Sequence, residues 1–444
     1  MQLSEIKDKL RKCGVAGAGG AGFPSYAKLS DKADTIILNC AECEPLFKLH
    51  RQLLEKYATE IISTLDLLTD IVGADQFIVA VKGSYAGAVQ AVEAALTEHK
   101  KGKIKLLREI YPAGDEVIVI YECTGRVVPP GSIPIETGCI VYNVETLLNM
   151  YYAINSNMPV THKFVTVAGE VKNPKTLRAP IGTAYSYLVS LAGGTPEEDV
   201  QYLSGGPMMG RLASPSDTVT KTTNGILVMP KSHYIIMKRK QQPKISVKRA
   251  MSTCCQCRTC TELCSRHLLG HPISPSDFMK CVSNKVIDVK AVLNTNYCSQ
   301  CGLCELYSCP QGLSPRTLIG IAKSELKTNG VKIEKLTKWN DVSPEREYRN
   351  VPMDRLIERL DLKKYNISAP IISEEIKPDE VRISLSQNIG KPAFPSVNAG
   401  QKVKVGEIIA AYDESALSIP IHSSVDGTVT AVTDKCITIL TEKA

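Results

Sequence analysis

The sequence predicts a multidomain α/β protein built from four successive parts. Its 444 residues, 43% of them hydrophobic, suffice for several buried cores. Three patterns divide the chain: alternating apolar runs and helical patterns first, two dense cysteine motifs later, and glycine-punctuated apolar runs at the end. We therefore expect an α/β domain, a small β-grasp module, a helical cysteine-rich domain and a C-terminal β domain.

The first domain, residues 1–158, has the rhythm of a parallel α/β fold. The runs TIILN, QFIVAVKG and EVIVIYE are rich in residues that favour strands. The segments LLEKYATEIISTLDLLTDIV and YAGAVQAVEAALTEHK have the apolar spacing of helices. Strands that alternate with helices favour a largely parallel sheet.

Two smaller parts carry β patterns. Residues 160–215 contain the run KFVTVAGEV, a turn at Asn173 and Pro174, and a helical pattern near TAYSYLVSLAGG, which together suit a β-grasp module. Residues 378–444 have no long helical pattern, and glycines punctuate their short apolar runs. Regular turns between short strands indicate a β-sandwich or barrel there.

Charge and hydropathy disfavour a nucleic-acid-binding or membrane-spanning protein. The net charge of +7 is modest, and the basic segment KRKQQPKISVKR lacks the interleaved aromatic residues of a nucleic-acid surface. We interpret it as a solvated linker whose cations could also offset anionic groups nearby, and we expect no nucleic-acid partner. No uncharged apolar run reaches the length of about 18 residues that a transmembrane helix needs, and no secretory signal is evident. A cytoplasmic location, where thiols stay reduced, is therefore expected.

The cysteine motifs carry the strongest chemical signal. CCQCRTCTELC contains the spacing C-x2-C-x2-C-x3-C, and CSQCGLCELYSCP contains C-x2-C-x2-C-x4-C-P. Disulfides are disfavoured in a reducing compartment, and zinc sites more often use two C-x2-C pairs. Three thiolates at this spacing can surround one face of a [4Fe–4S] cluster, and in two-cluster ferredoxins the fourth cysteine ligates the other cluster.

Residues 245–328 are therefore expected to form a ferredoxin-like domain with two [4Fe–4S] clusters. Cys255 falls outside the regular spacing and is interpreted as a spare thiol. The eight predicted ligands form two sets: Cys254, Cys257, Cys260 and Cys309 for the first cluster, and Cys298, Cys301, Cys304 and Cys264 for the second.

The N-terminal segment GVAGAGGAGFPSYAKL is a glycine-dense loop. It lacks the strand–GxGxxG–helix context of a dinucleotide fold and the GK[ST] end of a P-loop, so a flexible turn is one interpretation. The other is a cofactor site, because glycines let backbone N–H groups approach a phosphate or a flavin ring closely.

Several motifs together resemble a known family. GAGGAGFP with a lysine four residues later, NCAECEP and YNVETL are similar to the flavin-binding fold of the NADH-oxidising subunit of complex I. YPAGDE, TGRVVPPGSIP and GGPMMG resemble more closely the C subunit of the Rnf complex and the cobalamin reductases of propanediol utilisation. The resemblance covers nearly the whole chain.

The resemblance implies an FMN site and an adjoining nicotinamide site. FMN would lie against the glycine loop, with its phosphate near two residues of YNVETL, and an aromatic side chain would stack on the incoming nucleotide. The implied residues are Gly17, Gly19, Gly20, Lys28, Asn39, Glu42, Asn143 and Thr146 for FMN, and Phe23 for the nucleotide.

The resemblance also names two accessory domains. Residues 160–215 resemble a soluble-ligand-binding β-grasp (SLBB) domain, and residues 378–444 resemble a lipoyl-type barrel-sandwich hybrid. In lipoyl carriers a lysine projects from the hairpin between the two halves. Ala416 stands near that position here, so a structural rather than a carrier role is expected.

The implied function is electron transfer from NADH through FMN and the two clusters to a corrinoid. One alternative is an Rnf-type electron-transfer subunit that delivers electrons to a redox protein, and another is a non-enzymatic scaffold or ligand-sensing protein. The cobalamin reductase relatives imply contacts with the shell of a bacterial microcompartment or with B12-dependent enzymes. The expected location is then the cytoplasm, either free or inside such a compartment.

Overall fold

A computed structural model describes residues 1–442. The N-terminal domain has four parallel strands in the order β3-β2-β1-β5, with helices on both faces. Its elements are α1 Leu3–Lys12, α2 Ser25–Lys28, β1 Thr35–Cys40, α3 Leu49–Lys56, α4 Ala58–Val72, β2 Gln76–Lys82, α5 Ala86–Leu96, β3 Gly102–Leu107, β4 Ile110–Tyr111, α6 Glu116–Thr124, β5 Cys139–Asn143 and α7 Val144–Ser156. The predicted parallel α/β domain is thus confirmed.

The run EVIVIYE was predicted as a strand, and that prediction is wrong. It forms helix α6, because Asp115 caps the N-terminus by accepting a hydrogen bond from the Val117 N–H at 3.0 Å. Gly125 ends the helix in the left-handed conformation that favours glycine. These end signals outweigh the β propensity of the valines and isoleucines, which pack against the sheet.

The β-grasp domain is one six-stranded sheet in the order β12-β7-β6-β10-β8-β9. Its strand β10 lies at the centre and beyond residue 215, so the sheet extends past the expected 160–215 boundary. The elements are β6 His162–Gly169, β7 Lys175–Pro180, α8 Tyr185–Leu191, β8 Val200–Ser204, β9 Arg211–Ala213 and β10 Gly225–Pro230, with the edge strand β12 Ile371–Ile372 contributed from later in the chain.

Short helices make up the cysteine-rich domain. They are α9 Tyr234–Lys240, α10 Pro243–Thr253, α11 Thr259–Glu262, α12 Ser265–Leu268, α13 Pro275–Asn284, α14 Val289–Leu293, α15 Leu303–Leu306 and α16 Pro315–Thr328. The basic segment is helical rather than an irregular linker, since α9 and α10 occupy it, while most of its cations remain exposed as expected. Lys238 is buried there and its Nζ donates to the carbonyl of Leu313 at 3.2 Å and the hydroxyl of Ser314 at 3.1 Å.

A connecting segment and two small sheets complete the chain. The sheets run β13-β19-β18-β15 and β14-β16-β17, and strand β11 pairs with β4 of the first domain. The elements are β11 Val351–Pro352, α17 Met353–Arg359, β13 Glu380–Ser384, β14 Phe394–Pro395, β15 Lys402–Val403, β16 Ile408–Ala411, β17 Ile421–His422, β18 Gly427–Val432 and β19 Cys436–Thr441. Within residues 1–442, no helix has the length and apolar character to cross a membrane.

The C-terminal domain is docked on the first domain. The Arg11 guanidinium donates to the carbonyls of Asp413 and Ala416, each at 2.9 Å, so the stretch where carriers hold their lysine lies against α1. Buried Lys221 of the β-grasp domain donates to the carbonyls of Gly14 at 2.7 Å and Pro420 at 3.3 Å, and burial lowers its pKa to about 7. This lysine ties three domains together beside the glycine loop.

Candidate flavin site and cluster-binding cysteines

The candidate flavin site lies at the carboxyl edge of the parallel sheet. Asn39 lies near the end of β1 and is directly opposite Asn143, the last residue of the neighbouring strand β5. The chain proceeds from β1 to β2 and β3 on one side and then returns to β5 on the other. A crevice between strands whose connections run in opposite directions is the usual ligand site of an open α/β sheet.

The glycine loop is fixed to the N-terminus of α7. The Ala18 N–H donates to the Thr146 hydroxyl at 2.9 Å, and the Thr146 N–H donates to the Asn143 carboxamide oxygen at 2.8 Å. Gly17 and Phe23 close the loop through a backbone hydrogen bond of 2.9 Å. The structure thus brings the predicted loop residues together with both predicted residues of YNVETL.

The backbone of this loop has the properties of an anion cradle. Among residues 1–442, the N–H groups of Gly19 and Gly20 have no hydrogen-bond partner. Gly20 has a φ of 66°, a conformation that glycine adopts without strain. Free N–H groups beside a helix N-terminus suit a phosphate, so the residues present fit the FMN that the resemblance implies.

Two of the predicted flavin residues make hydrogen bonds that hold the walls of the site. Lys28 donates to Glu116 at 2.9 Å and to the Val141 carbonyl at 3.0 Å. The Asn39 amide nitrogen donates to the Gly114 carbonyl at 3.0 Å, so it holds the YPAGDE loop at the sheet edge. A direct contact with FMN stays a prediction for both residues.

Glu42 also accepts hydrogen bonds from the protein itself. One of its carboxylate oxygens accepts the N–H groups of Leu49 and His50 at 2.7 and 3.0 Å and so caps α3. The other oxygen is buried without a partner among the described residues. Glu42 therefore retains one acceptor atom for a ligand.

The β-grasp domain contributes a side chain that the sequence analysis missed. A Cβ atom added at Gly19 would lie 2.6 Å from the Asn224 amide nitrogen and 3.1 Å from that of Asn143. The Asn224 carboxamide oxygen accepts from Lys163 Nζ at 2.8 Å, and Lys163 is also paired with buried Glu145. Asn224 and Lys163 lie far from the loop in sequence and belong to no recognisable motif.

The first predicted cluster set, Cys254, Cys257, Cys260 and Cys309, lines one cavity near the surface and is called the outer quartet. Burial and, to a smaller extent, the charges of the other three thiols raise the pKa of Cys260 to about 12. The Thr259 hydroxyl donates to Cys257 Sγ at 3.3 Å and lowers the pKa of that thiol. Cys309 of the second motif thus lies with three cysteines of the first motif, which is the arrangement predicted for the fourth ligand.

The second set, Cys264, Cys298, Cys301 and Cys304, is called the inner quartet because it is more deeply buried. Burial raises the pKa of Cys304 well above its ordinary value, and the three other thiols of the set raise it further. Burial likewise raises the pKa of both Cys264 and Cys301 to about 12. Because iron binds thiolates, cluster assembly in either quartet must release protons.

Neither quartet has the geometry of a single-ion site. Within residues 1–442, no group of three His, Cys, Asp or Glu side chains converges as the ligands of one metal ion would. The outer quartet instead lines a shared cavity, and the inner thiols are close enough for Cys264, Cys298 and Cys301 to raise the pKa of Cys304. Cys255 is exposed, but it also lines the outer cavity beside the predicted ligands. That Cys255 is a spare thiol and not a ligand therefore stays a prediction.

The inner quartet adjoins the flavin domain. The Tyr111 hydroxyl donates to the Cys301 carbonyl at 2.5 Å. Arg266, which neighbours Cys264 and Cys301, forms an ion pair of 2.8 Å with Asp115 of the YPAGDE loop. Two residues of the flavin domain therefore hold the inner ligand loops directly.

The GGPMMG motif forms the junction of three domains. The Glu44 carboxylate accepts the N–H groups of Met208 and Met209 at 2.9 and 2.7 Å. Arg239 donates to the carbonyls of Pro207 and Met208. Burial raises the pKa of Glu44 to about 7, against the opposing effect of these N–H groups. Glu44 belongs to NCAECEP, and a contact between NCAECEP and GGPMMG was not predicted from the sequence.

An open cleft of about 570 Å³ lies beside the outer ligand loops. One wall consists of residues adjacent to ligands in both cysteine motifs, and the other is the exposed face of α17. The lining residues are Thr259, Leu263, Tyr307, Ser308, Asp354, Arg355, Glu358 and Arg359.

Comparison with known proteins agrees with this architecture. Residues 10–152 match the Nuo51 FMN-binding domain, 164–212 the SLBB domain, 253–314 the 4Fe-4S dicluster domain and 357–443 the RnfC barrel sandwich hybrid domain. The cobalamin reductase PduS of Salmonella typhimurium is 37% identical over 99% of this chain and 97% of its own length. The chain belongs to the PduS family.

Other relatives of this PduS-family protein extend the comparison. PduS of Citrobacter freundii is 38% identical over 98% of this chain and 96% of its own. The C subunit of the Na⁺-translocating ferredoxin:NAD⁺ oxidoreductase complex of Acetobacterium woodii is 30% identical over 65% of each chain. A crystal structure of an NAD⁺-reducing [NiFe]-hydrogenase in the H2-reduced state shares the fold, with a TM-score of 0.50 and 20% identity over 76% of this chain and 64% of that chain.

These matches confirm the predicted fold class and cofactors. The PduS-family chain carries an FMN-binding domain, an SLBB module, a domain for two [4Fe–4S] clusters and a barrel-sandwich domain. The resemblance inferred from GAGGAGFP, NCAECEP and YNVETL is likewise confirmed.

Proposed function

We propose that this protein is an NADH-dependent oxidoreductase that reduces a corrinoid. The observation that carries the proposal is the full-length similarity to two cobalamin reductases, on a chain that has both an FMN-binding and a dicluster domain. When bound, FMN accepts a hydride from NADH, and the clusters transfer single electrons.

The protein's own residues would hold and order these groups. The glycine loop and the N-terminus of α7 hold the phosphate of FMN, with Asn143 and Thr146 fixing the loop. The outer and inner quartets each supply four thiolates to one cluster. Tyr111 and Arg266 fix the inner quartet against the flavin domain, so the inner quartet is nearer to the flavin and the outer quartet nearer to solvent.

We place the acceptor at the cleft between the outer ligand loops and α17. A corrinoid is bulky and takes electrons one at a time, so it suits an open surface beside a cluster. The cleft combines Leu263 and Tyr307 on one wall with Arg355 and Arg359 on the other, and these two arginines have no ion-pair partner among the described residues. These arginines could contact the phosphodiester and amide groups of a corrinoid.

The test is NADH-driven reduction of hydroxocobalamin by the anaerobically purified protein alone, followed optically. We expect a rate well above that of equimolar free FMN, which is the control for slow reduction by flavin. A rate no faster than this control, together with rapid reduction of a ferredoxin or flavoprotein, would reject the corrinoid and support the alternative acceptor.

That alternative is an electron-transfer subunit with a redox protein as acceptor. It is favoured by the similarity to the Acetobacterium woodii protein and by the RnfC barrel sandwich domain. The scaffold or ligand-sensing alternative leaves the eight patterned cysteines without a role. We further propose a location inside a bacterial microcompartment, and co-fractionation of the protein with purified compartments tests it.

A further inference from the structure

The amide of Asn224 is oriented by its surroundings. Its oxygen accepts a hydrogen bond of 2.8 Å from Lys163 Nζ, and the Lys163 ammonium cannot accept one, so the amide nitrogen must point away from the lysine. Lys163 is itself fully buried and held by Glu145 and by the Phe164 carbonyl at 3.1 Å. A buried ion pair therefore aims the Asn224 N–H donors at the glycine loop.

Asn143 is oriented in the same way from the other side. Its oxygen accepts from the N–H and the hydroxyl of Thr146, which leaves its amide nitrogen facing Gly19. Within the described part of the chain, neither amide nitrogen donates a hydrogen bond to the protein. Two half-buried amides with unused donors thus flank the loop, in which the N–H groups of Gly19 and Gly20 are free.

Such a set of donors recognises an anion. Neutral donors from two side chains, two backbone N–H groups and the N-terminus of α7, a 13-residue helix, surround the same loop. A simple packing role would explain the proximity of Asn224 to Gly19, but it gives no reason for both amide nitrogens to face the same loop. A flavin carbonyl needs fewer donors than this, whereas a phosphate has enough oxygens to accept them.

We propose that Asn224 binds the FMN phosphate, so that the β-grasp domain completes the flavin site. This inference rests on the proposed function, which supplies FMN as the ligand. It gives the SLBB module a direct role in cofactor binding, alongside the attachment of three domains that Lys221 provides.

The experiment titrates full-length protein, with its clusters in place and depleted of flavin, with FMN and with riboflavin, which lacks the phosphate. Flavin fluorescence reports binding. Asn224→Ala should weaken FMN binding about tenfold or more, because a hydrogen bond to a charged group is lost, and should leave riboflavin binding unchanged. Asn224→Asp retains an acceptor for Lys163 but adds a negative charge, so it should weaken FMN binding still more.

Asn155→Ala is the matched control. Asn155 is an exposed asparagine at the far end of α7, about 18 Å along the helix from Asn143. It should leave both affinities unchanged, and iron content verifies that each variant is folded. Unchanged FMN affinity in both Asn224 variants, or equal losses for FMN and riboflavin, would overturn the inference. A wild-type protein that binds neither flavin would instead overturn the proposed function.

Discussion

The two cofactor regions of this protein are assembled over very different lengths of chain. All eight cysteines of the inner and outer quartets lie between residues 254 and 309. The groups around the glycine loop come from the flavin domain and from Asn224 of the β-grasp domain, roughly two hundred residues away in sequence. Local spacing therefore defines the cluster ligands, whereas the flavin site depends on the docking of one domain on another.

The largest expected effect is on iron content, when a substitution removes a ligand from one quartet and leaves the other quartet intact. Wild-type protein prepared anaerobically should hold about eight irons. Cys257→Ser should remove about half of them, because the outer quartet loses a ligand, and Cys255→Ser should remove none. Iron and sulfide quantitation measures both variants.

Cys255 is a demanding control since it lies at the rim of the same cavity. Equal iron losses in the two variants would contradict the spacing argument. Stoichiometric zinc without broad visible absorption would contradict the cluster assignment altogether.

The next largest effect is on FMN occupancy, in a variant that changes the flavin site but not the clusters. Gly19→Val should lower FMN occupancy at least tenfold, because a Cβ at this position already approaches the Asn224 amide nitrogen to 2.6 Å. Iron content should not change. Gly83→Val is the matched control, as a Cβ there meets no atom within 4 Å. Full flavin occupancy in Gly19→Val would count against the site.

A smaller effect concerns the junction at Glu44, whose pKa is raised to about 7 by burial. The folded protein therefore binds a proton at Glu44 more tightly than the unfolded chain does. Protonation of Glu44 stabilises the folded state fully below about pH 4.5, and this stabilisation is lost as the pH rises to 7. Glu44→Gln carries no titrating group. We expect its melting temperature, relative to wild type, to rise by a few degrees across this range.

Thermal unfolding at several pH values measures the difference between the two proteins, so titration of other groups cancels. A difference that does not vary between pH 4.5 and 7 would show that Glu44 is not a buried, proton-linked carboxylate at the junction.

Features that depend on residues close together in the sequence could be predicted from it, whereas contacts between distant residues could not. The spacing of cysteines within each motif is a local property, and the grouping of thiols around Cys260 and Cys304 matches it. The run EVIVIYE was misassigned because propensity was weighed above the capping residue Asp115 and the terminal Gly125. Both end signals are local and could have been used.

Other features had no local signal. The orientation of Asn224 depends on Lys163, and that of Lys163 on Glu145, three residues brought together only by packing of the β-grasp domain on α7. The motif GGPMMG was noticed but had no assigned role, since its partner Glu44 lies more than 150 residues earlier. Such contacts require the tertiary structure.

The central claim is that electrons leave the flavin through the inner quartet and reach the corrinoid from the cluster domain. The most direct test is Cys298→Ser, which removes an inner ligand far from the glycine loop in sequence. NADH should still bleach the flavin at the wild-type rate, while hydroxocobalamin reduction should fall to the rate of free FMN. Corrinoid reduction at the wild-type rate in a variant that has lost the inner cluster would contradict the account.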